Sequence, residues 1–192
     1  MILRRSLRTA LLLFGVLFLV TGVIYPLFVT GIAGLAFPYQ ARGSLVRNES
    51  GAVMGSELIG LQFAGPHYFE GRPSSTAGVP YNAAQSGGSN LGPSNPALPG
   101  RVNTTIRHLE TLGMKGPWPG DLVTSSASGL DPHITLDAAL LQVPVVAKAR
   151  RMDEGTVRTL VYESIVSNPL SPEYEYVNVF ALNRALDQRG GP

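Results

Sequence analysis

The stretch from Ala10 to Phe37, ALLLFGVLFLVTGVIYPLFVTGIAGLAF, decides the architecture of this chain. It is 28 residues without a charge, longer than the roughly 20 apolar residues a helix needs to cross a bilayer. Thr21 and Thr30 can each bond back to a carbonyl one turn earlier, which makes a hydroxyl cheap to bury in such a helix. A cleaved secretory signal would share the basic flank and could use the small-x-small Gly34-Leu35-Ala36. Its apolar region would span only about 7–15 residues, however, so the reading is an anchor. The expected organisation is a basic N-terminus (1–9), a transmembrane helix (10–37) and one soluble domain (38–192).

Arg4, Arg5 and Arg8 flank the apolar stretch on one side, whereas Arg42 and Arg47 are the early positive residues on the other. By the positive-inside rule the N-terminus is cytoplasmic and the domain extracytoplasmic. Within the span, Gly15 and Gly22 lie seven residues apart and so share a face of a regular helix, and Gly31 comes near the far end. Small residues let a neighbouring helix approach closely, so these three are candidate packing positions. Pro26 removes a backbone donor and predicts a bend. Pro38-Tyr39 places an aromatic ring at interface depth.

The rest of the chain bounds what the domain can do. The formal charge of +2 is misleading: beyond the anchor, 12 Lys and Arg face 13 Asp and Glu. A nearly neutral domain has no electrostatic footprint for nucleic acid. The absence of cysteine excludes disulfides, thiolate metal sites and cysteine nucleophiles.

Two short apolar runs, Gly43–Val46 and Ala52–Gly55, flank the turn signal Asn48-Glu49-Ser50-Gly51 and predict a β-hairpin. Leu58, Ile59, Leu61 and Phe63 continue as strand or extended chain. From Gly65 to Gly100, six prolines and seven glycines exclude long regular elements. The aromatics His67, Tyr68, Phe69 and Tyr81 argue against disorder, so 65–100 is expected to be a packed, ordered loop. Val102, Ile106, Leu109 and Leu112 predict an amphipathic helix over Asn103–Leu112, ended by Gly113. Leu122-Val123-Thr124 reads as a short strand. Thr135 caps a helix from Leu136 to Arg150 that Pro144 should kink or restart. Asp153 caps a second helix, Glu154 to Val166, which Asn168-Pro169 stops. Tyr176–Phe180 alternates as a closing strand before a short helix to Leu186. Early and late strands with helices between them make the fold class α+β.

Several residues invite chemistry. Ser86-Gly87-Gly88-Ser89-Asn90 could form an anion nest, but it lacks the P-loop spacing and a nearby lysine. The favoured reading is a tight loop with glycines at positive φ. Ser125, Ser128, Asp131 and His133 contain the ingredients of a hydrolase triad without a G-x-S-x-G context. Asp131-Pro132-His133 is read as a turn held by the aspartate, and no catalytic residue is expected. His67, His108 and His133 are scattered, so no metal site is expected. Arg72 and Tyr81 in the long loop are candidates for contacts with a partner protein; Arg72 could equally bond loop carbonyls.

Taken in order behind one N-terminal helix, GSELIGLQF, YFEGRPSS, YNAAQSGGSNLGPSNPAL, DLVTSSASGLDPHITLDAALLQVPVVAKAR and VNVFALNRAL closely resemble the KdpC family. These are the C subunits of the bacterial Kdp potassium-transporting ATPase, and the resemblance covers nearly the whole chain. It implies a small single-span subunit needed for the assembled pump, with a channel-like potassium subunit and a P-type ATPase subunit as partners in the plasma membrane. It also implies the family's description as a catalytic chaperone that raises ATP affinity of the ATPase subunit. ATP enters only through that description, which conflicts with a domain outside the cytoplasm. The alternative is a stand-alone, membrane-tethered ligand-binding domain or enzyme.

Overall fold

The structure is a computed structural model that describes residues 2–168 and 171–190. The chain divides into two units, residues 1–53 and 54–192.

In the first unit the apolar stretch is helical from Ile2, through the arginine flank, to Ala36. It consists of α1 (Ile2–Leu19), a π-helical segment (Val20–Ile24) and α2 (Tyr25–Ala36). Residues Leu3–Ala36 are long and apolar enough to cross a membrane, and none of that surface is buried within the molecule. Thr21 bonds back to the Leu17 carbonyl at 2.8 Å, as expected. The π segment sits immediately before Pro26, where the bend is expected. In a regular helix the proline ring would press on the carbonyl four residues earlier. Here the Tyr25 N–H reaches back to Val20 instead, widening the turn. One inserted residue rotates the remainder of the helix by roughly 100° about the axis, so Gly31 lies on a different face from the one a regular helix would give it relative to Gly15. A short α3 (Pro38–Ala41) comes next, and the Tyr39 hydroxyl donates to the Ser44 carbonyl at 3.2 Å.

The hairpin forms as β1 (Leu45–Arg47) and β2 (Val53–Ser56). Asn48 organises its turn: the side chain accepts the Ala52 N–H at 2.9 Å, and Gly51 takes the left-handed φ of +83°.

In the second unit Leu58–Phe63 is irregular rather than a strand. It is tied down by the Gly60 N–H on the Leu130 carbonyl (2.8 Å) and the Asn178 amide on the Glu57 carbonyl (2.9 Å). The long loop holds one 3₁₀ turn (Ala83–Gln85) and ends earlier than its proline and glycine content suggests, because α4 runs Ala97–Thr111. Pro99 falls in the first turn, whose N–H groups have no helical partner anyway. Leu122-Val123 is not a strand: α5 (Gly120–Val123) is one helical turn. Its Asp121 carboxylate accepts the backbone N–H of Thr135, and Leu122 is buried.

β3 (His133–Thr135) leads into α6 (Leu136–Arg150), capped by Thr135 as expected, and α6 runs through Pro144 without restarting. Pro144 lies on the exposed face, where water can take the carbonyl that the proline leaves free. α7 (Glu154–Glu163) is capped by Asp153 but stops before Ile165, which opens β4 (Ile165–Asn168). The expected stop at Asn168-Pro169 therefore does not end the helix, and Pro169 lies outside the described residues. β5 (Ser171–Asn178) ends two residues earlier than the alternation suggests. Asn178 caps α8 (Val179–Arg189), so Val179 and Phe180 are helical.

β5 is the central strand of an antiparallel sheet ordered β3-β5-β4, with Ile134 and Ile165 both opposite Val177. Together the elements give an α+β domain behind one long apolar helix. The core gathers Ala138, Ala139, Val143 and Val146 of α6, Val157 and Val161 of α7, Val177 of β5, and Leu182 and Leu186 of α8, all fully buried.

Candidate functional site

The long loop is built into the domain by side chains that reach it from the helices. α6 and α8 each carry one fully buried amide, Gln142 and Asn183. Asn183 accepts the Phe69 N–H at 2.8 Å and donates to the Phe69 carbonyl at 2.9 Å. Gln142 repeats this one residue on: it accepts the Glu70 N–H at 2.7 Å and donates to the Glu70 carbonyl at 3.1 Å. Two amides thus give an irregular segment the backbone partners a strand would supply, as burial requires. The Phe69 side chain enters the core and is fully buried.

Arg150, at the end of α6, extends the clamp. Its Nε donates to the His67 carbonyl at 2.6 Å and a terminal nitrogen donates to Asp187 at 2.7 Å. The guanidinium lies 4.8 Å from the centre of the Tyr68 ring, within cation–π range.

Past Glu70 the loop folds back on itself. Arg72 pairs with Asp131 at 3.2 Å. The Tyr81 hydroxyl donates to the Arg72 carbonyl at 2.6 Å, and the Tyr81 N–H donates to Ser74 Oγ at 2.9 Å. Both expected partner-contact residues therefore hold the domain's own framework. Burial, reinforced by the Glu70 and Asp131 carboxylates, pushes the Tyr81 phenol up to about 12. Burial also opposes ionisation of Asp131, but hydrogen bonds from His133 and the charge of Arg72 outweigh it and hold the carboxyl below its ordinary value.

The serine-glycine loop rests on a second loop. The Gly87 N–H and the Ser86 hydroxyl both donate to the Ser128 carbonyl, at 2.8 and 3.0 Å. This uses part of the donor set an anion nest would need. A Cβ on Gly88 would lie 2.9 Å from the Ala127 carbonyl oxygen, and one on Gly129 would lie 2.5 Å from that of Gly87. Gly88 and Gly129 therefore serve close approach, whereas a Cβ on Gly87 would meet nothing within 4 Å; Gly87 and Gly88 are not at positive φ, whereas Asn90 is, at +52°. Ser89 Oγ accepts the Leu91 N–H at 3.5 Å.

The triad ingredients do not assemble. Ser128 Oγ accepts the Leu130 N–H at 3.1 Å and lies 3.3 Å from Ser126 Oγ. Asp131 accepts the His133 N–H at 3.0 Å, the turn expected from the sequence. His133 Nδ1 approaches Asp131 at 3.2 Å, but among the described residues no serine hydroxyl bonds to it. Nor, among them, do three His, Asp or Glu gather as a metal would require.

One cavity of about 280 Å³ opens between the loop and α4, lined by Phe63, Glu70, Tyr81, Thr104, Thr105 and His108, among others. Glu70 lies 3.7 Å from His108. Burial raises the Glu70 carboxyl above its ordinary value, and His108 only partly offsets this. Neither residue stands out in the sequence. A signal for the clamps does exist: Gln142 falls one turn from both Ala138 and Val146, and Asn183 falls one turn from both Val179 and Leu186, so each interrupts an apolar face.

The family model described as "KdpC: K+-transporting ATPase, c chain" matches residues 7–188. A Methanosphaerula palustris protein named potassium-transporting ATPase KdpC subunit is 51% identical, covering 98% of this chain and 100% of the relative. Proteins of the same name from Methylobacterium nodulans and Geobacter sulfurreducens are 48% and 47% identical, covering 97% and 95% of this chain and 98% and 97% of their own. The family-model match over residues 7–188 and the full-length similarity at this level, behind one N-terminal apolar helix, show the same thing: the chain belongs to the KdpC family.

Proposed function

We propose that this chain is a non-catalytic, single-span accessory subunit of an ATP-driven potassium uptake pump, needed for assembly and activity of the complex. Its partners are a channel-like potassium subunit and a P-type ATPase subunit, beside which its helix stands in the bacterial plasma membrane. The N-terminus is cytoplasmic and the domain extracytoplasmic, as the arginine flank favours. The observation that carries the non-catalytic reading is the commitment of the loop's polar groups to internal bonds. Ser74, Ser86 and Tyr81 donate to backbone carbonyls, and Arg72 pairs with Asp131, so they brace the domain. Raising ATP affinity, as the family is described, would require the domain to reach a cytoplasmic nucleotide and is not adopted.

The helix supplies the membrane contact. A side chain at Gly15 or Gly31 would meet nothing within 4 Å in the chain itself, whereas one at Gly22 would touch Phe18 at 3.6 Å. Gly15, Gly22 and Gly31 give a neighbouring helix room to approach, and Pro26 with its π turn sets their relative angle. The test is extraction of the tagged chain in mild detergent. Stoichiometric recovery of an ATPase subunit and a channel-like subunit is expected, with reduced recovery for Gly15→Leu and Gly22→Leu. Recovery of the chain alone, while other membrane complexes stay intact, would refute the subunit reading; unchanged yield with the leucine variants would refute the packing face.

A further inference from the structure

A second cavity lies at the start of α4, between that helix, the loop around Ser75 and Ser89, and the Thr124-Ser125 segment after α5. Its volume is about 580 Å³, within the range of small-molecule sites. Its charged wall is Arg101; among the described residues no acid, lysine, histidine or side-chain amide lines it. Arg101 has no ion-pair partner among the described residues. Its guanidinium makes one bond, to Ser75 Oγ at 3.3 Å, which leaves most of its five N–H groups uncommitted. Arg101 is exposed as well as lining the cavity, which puts it at the mouth.

The hydroxyls on the walls divide into two sets. Thr104, Thr105 and Thr124 each turn back on the carbonyl four residues earlier, at 2.9, 3.2 and 2.6 Å, and Ser74 donates to the Gly129 carbonyl at 2.8 Å. A hydroxyl has one proton, so these four have none left to give. Ser75 and Ser89 only accept, from Arg101 and from the Leu91 N–H, and no described group bonds the Ser125 hydroxyl. A guanidinium and three hydroxyl protons therefore remain without an acceptor, with no carboxylate on the walls to supply one.

Charge and wall chemistry select among acceptors. One guanidinium balances one carboxylate, and its planar fork matches the two oxygens, whereas a phosphate dianion would leave a charge unmatched. Leu98, Val102 and Val123 line the same cavity and are each only partly buried, so they offer a carbon chain an apolar surface that an inorganic anion cannot use. We infer that this cavity binds a small aliphatic carboxylate, with its oxygens on Arg101 and the serine hydroxyls and its chain against Leu98, Val102 and Val123.

The experiment is calorimetric titration of the full chain in detergent micelles, against protein-free micelles as the blank, with butyrate, its neutral counterpart butanol, and inorganic phosphate. Butyrate should bind with a Kd of about 1 mM or tighter, phosphate more weakly, and butanol not at all. Arg101→Gln, which keeps length and removes charge, should weaken butyrate binding at least about tenfold, the loss expected for one hydrogen bond to a charged group. Ser125→Ala should weaken it by a smaller factor. A thermal melt checks that each variant is folded, which neither substitution should disturb. Failure of the folded wild-type chain to bind butyrate, equal binding of butanol, or unchanged binding in Arg101→Gln would overturn the inference. Tighter binding of phosphate than of butyrate would also overturn it, by making the cavity an inorganic-anion site.

Discussion

Replacing Asn183 with alanine tests whether buried amides hold the loop in place. Asn183 is fully buried and bonds both backbone groups of Phe69, itself fully buried. Truncation leaves a buried N–H and a buried carbonyl without partners, at about 1–3 kcal/mol each, so the expected loss is roughly 2–6 kcal/mol. For a chain of this size each kcal/mol lowers Tm by about 2–4 °C, which puts the shift at roughly 4–24 °C. Asn183→Leu separates the cause: it refills most of the volume but makes neither bond, so it should lose nearly as much. The assay is thermal unfolding of the full chain in detergent micelles followed by near-UV circular dichroism, with limited proteolysis around residues 65–75. Cleavage there should accelerate in both variants below the global transition, because the released segment opens locally. A loss under about 0.5 kcal/mol for Asn183→Ala, or full recovery by leucine, would refute the clamp.

Gly129→Ala should destabilise the domain by about 1–3 kcal/mol, since a Cβ there meets the Gly87 carbonyl at 2.5 Å and the φ is +66°; an unchanged denaturation midpoint would contradict this. Arg150→Ala should cost about 1–3 kcal/mol, because the His67 carbonyl loses a charged donor while Asp187, half exposed, can turn to water; denaturant titration reads it. Glu70 should respond to pH with a definite sign. Burial raises its folded-state pKa, so its contribution is fully present below the ordinary glutamate range and is lost as pH rises through the raised value. Glu70→Gln should therefore stabilise the domain at neutral pH, with the gain vanishing under acid conditions; parallel melts across pH measure it, and a gain that grows on acidification would reverse the assignment.

Much of the fold is legible along the chain because its signals are local. The Asn48–Gly51 turn, the caps Thr135 and Asp153 and the left-handed Gly113 need only a few neighbouring residues to be recognised. The misreadings share a cause as well. α4 begins at Ala97 because prolines that break a helix interior are harmless in its first turn. Leu122 and Val123 are too few for periodicity to separate strand from helix, and Asp121 bonding Thr135 favours the helical turn. β4 continues the apolar pattern of α7, and only pairing with β5 separates Ile165 from the helix before it.

By itself, the sequence determined that a long apolar helix precedes an α+β domain and that thiol chemistry is absent, and it predicts a packed segment over 65–100 despite its glycines and prolines. These conclusions rest on composition, length and short-range pattern. Only the tertiary structure decided how that segment is held and what faces what. Gln142 reaches Glu70 across 72 residues, Asn183 reaches Phe69 across 114 and Arg150 reaches His67 across 83. Such pairings are set by how helices and loop pack in space, and nothing in the spacing of the partners along the chain encodes them.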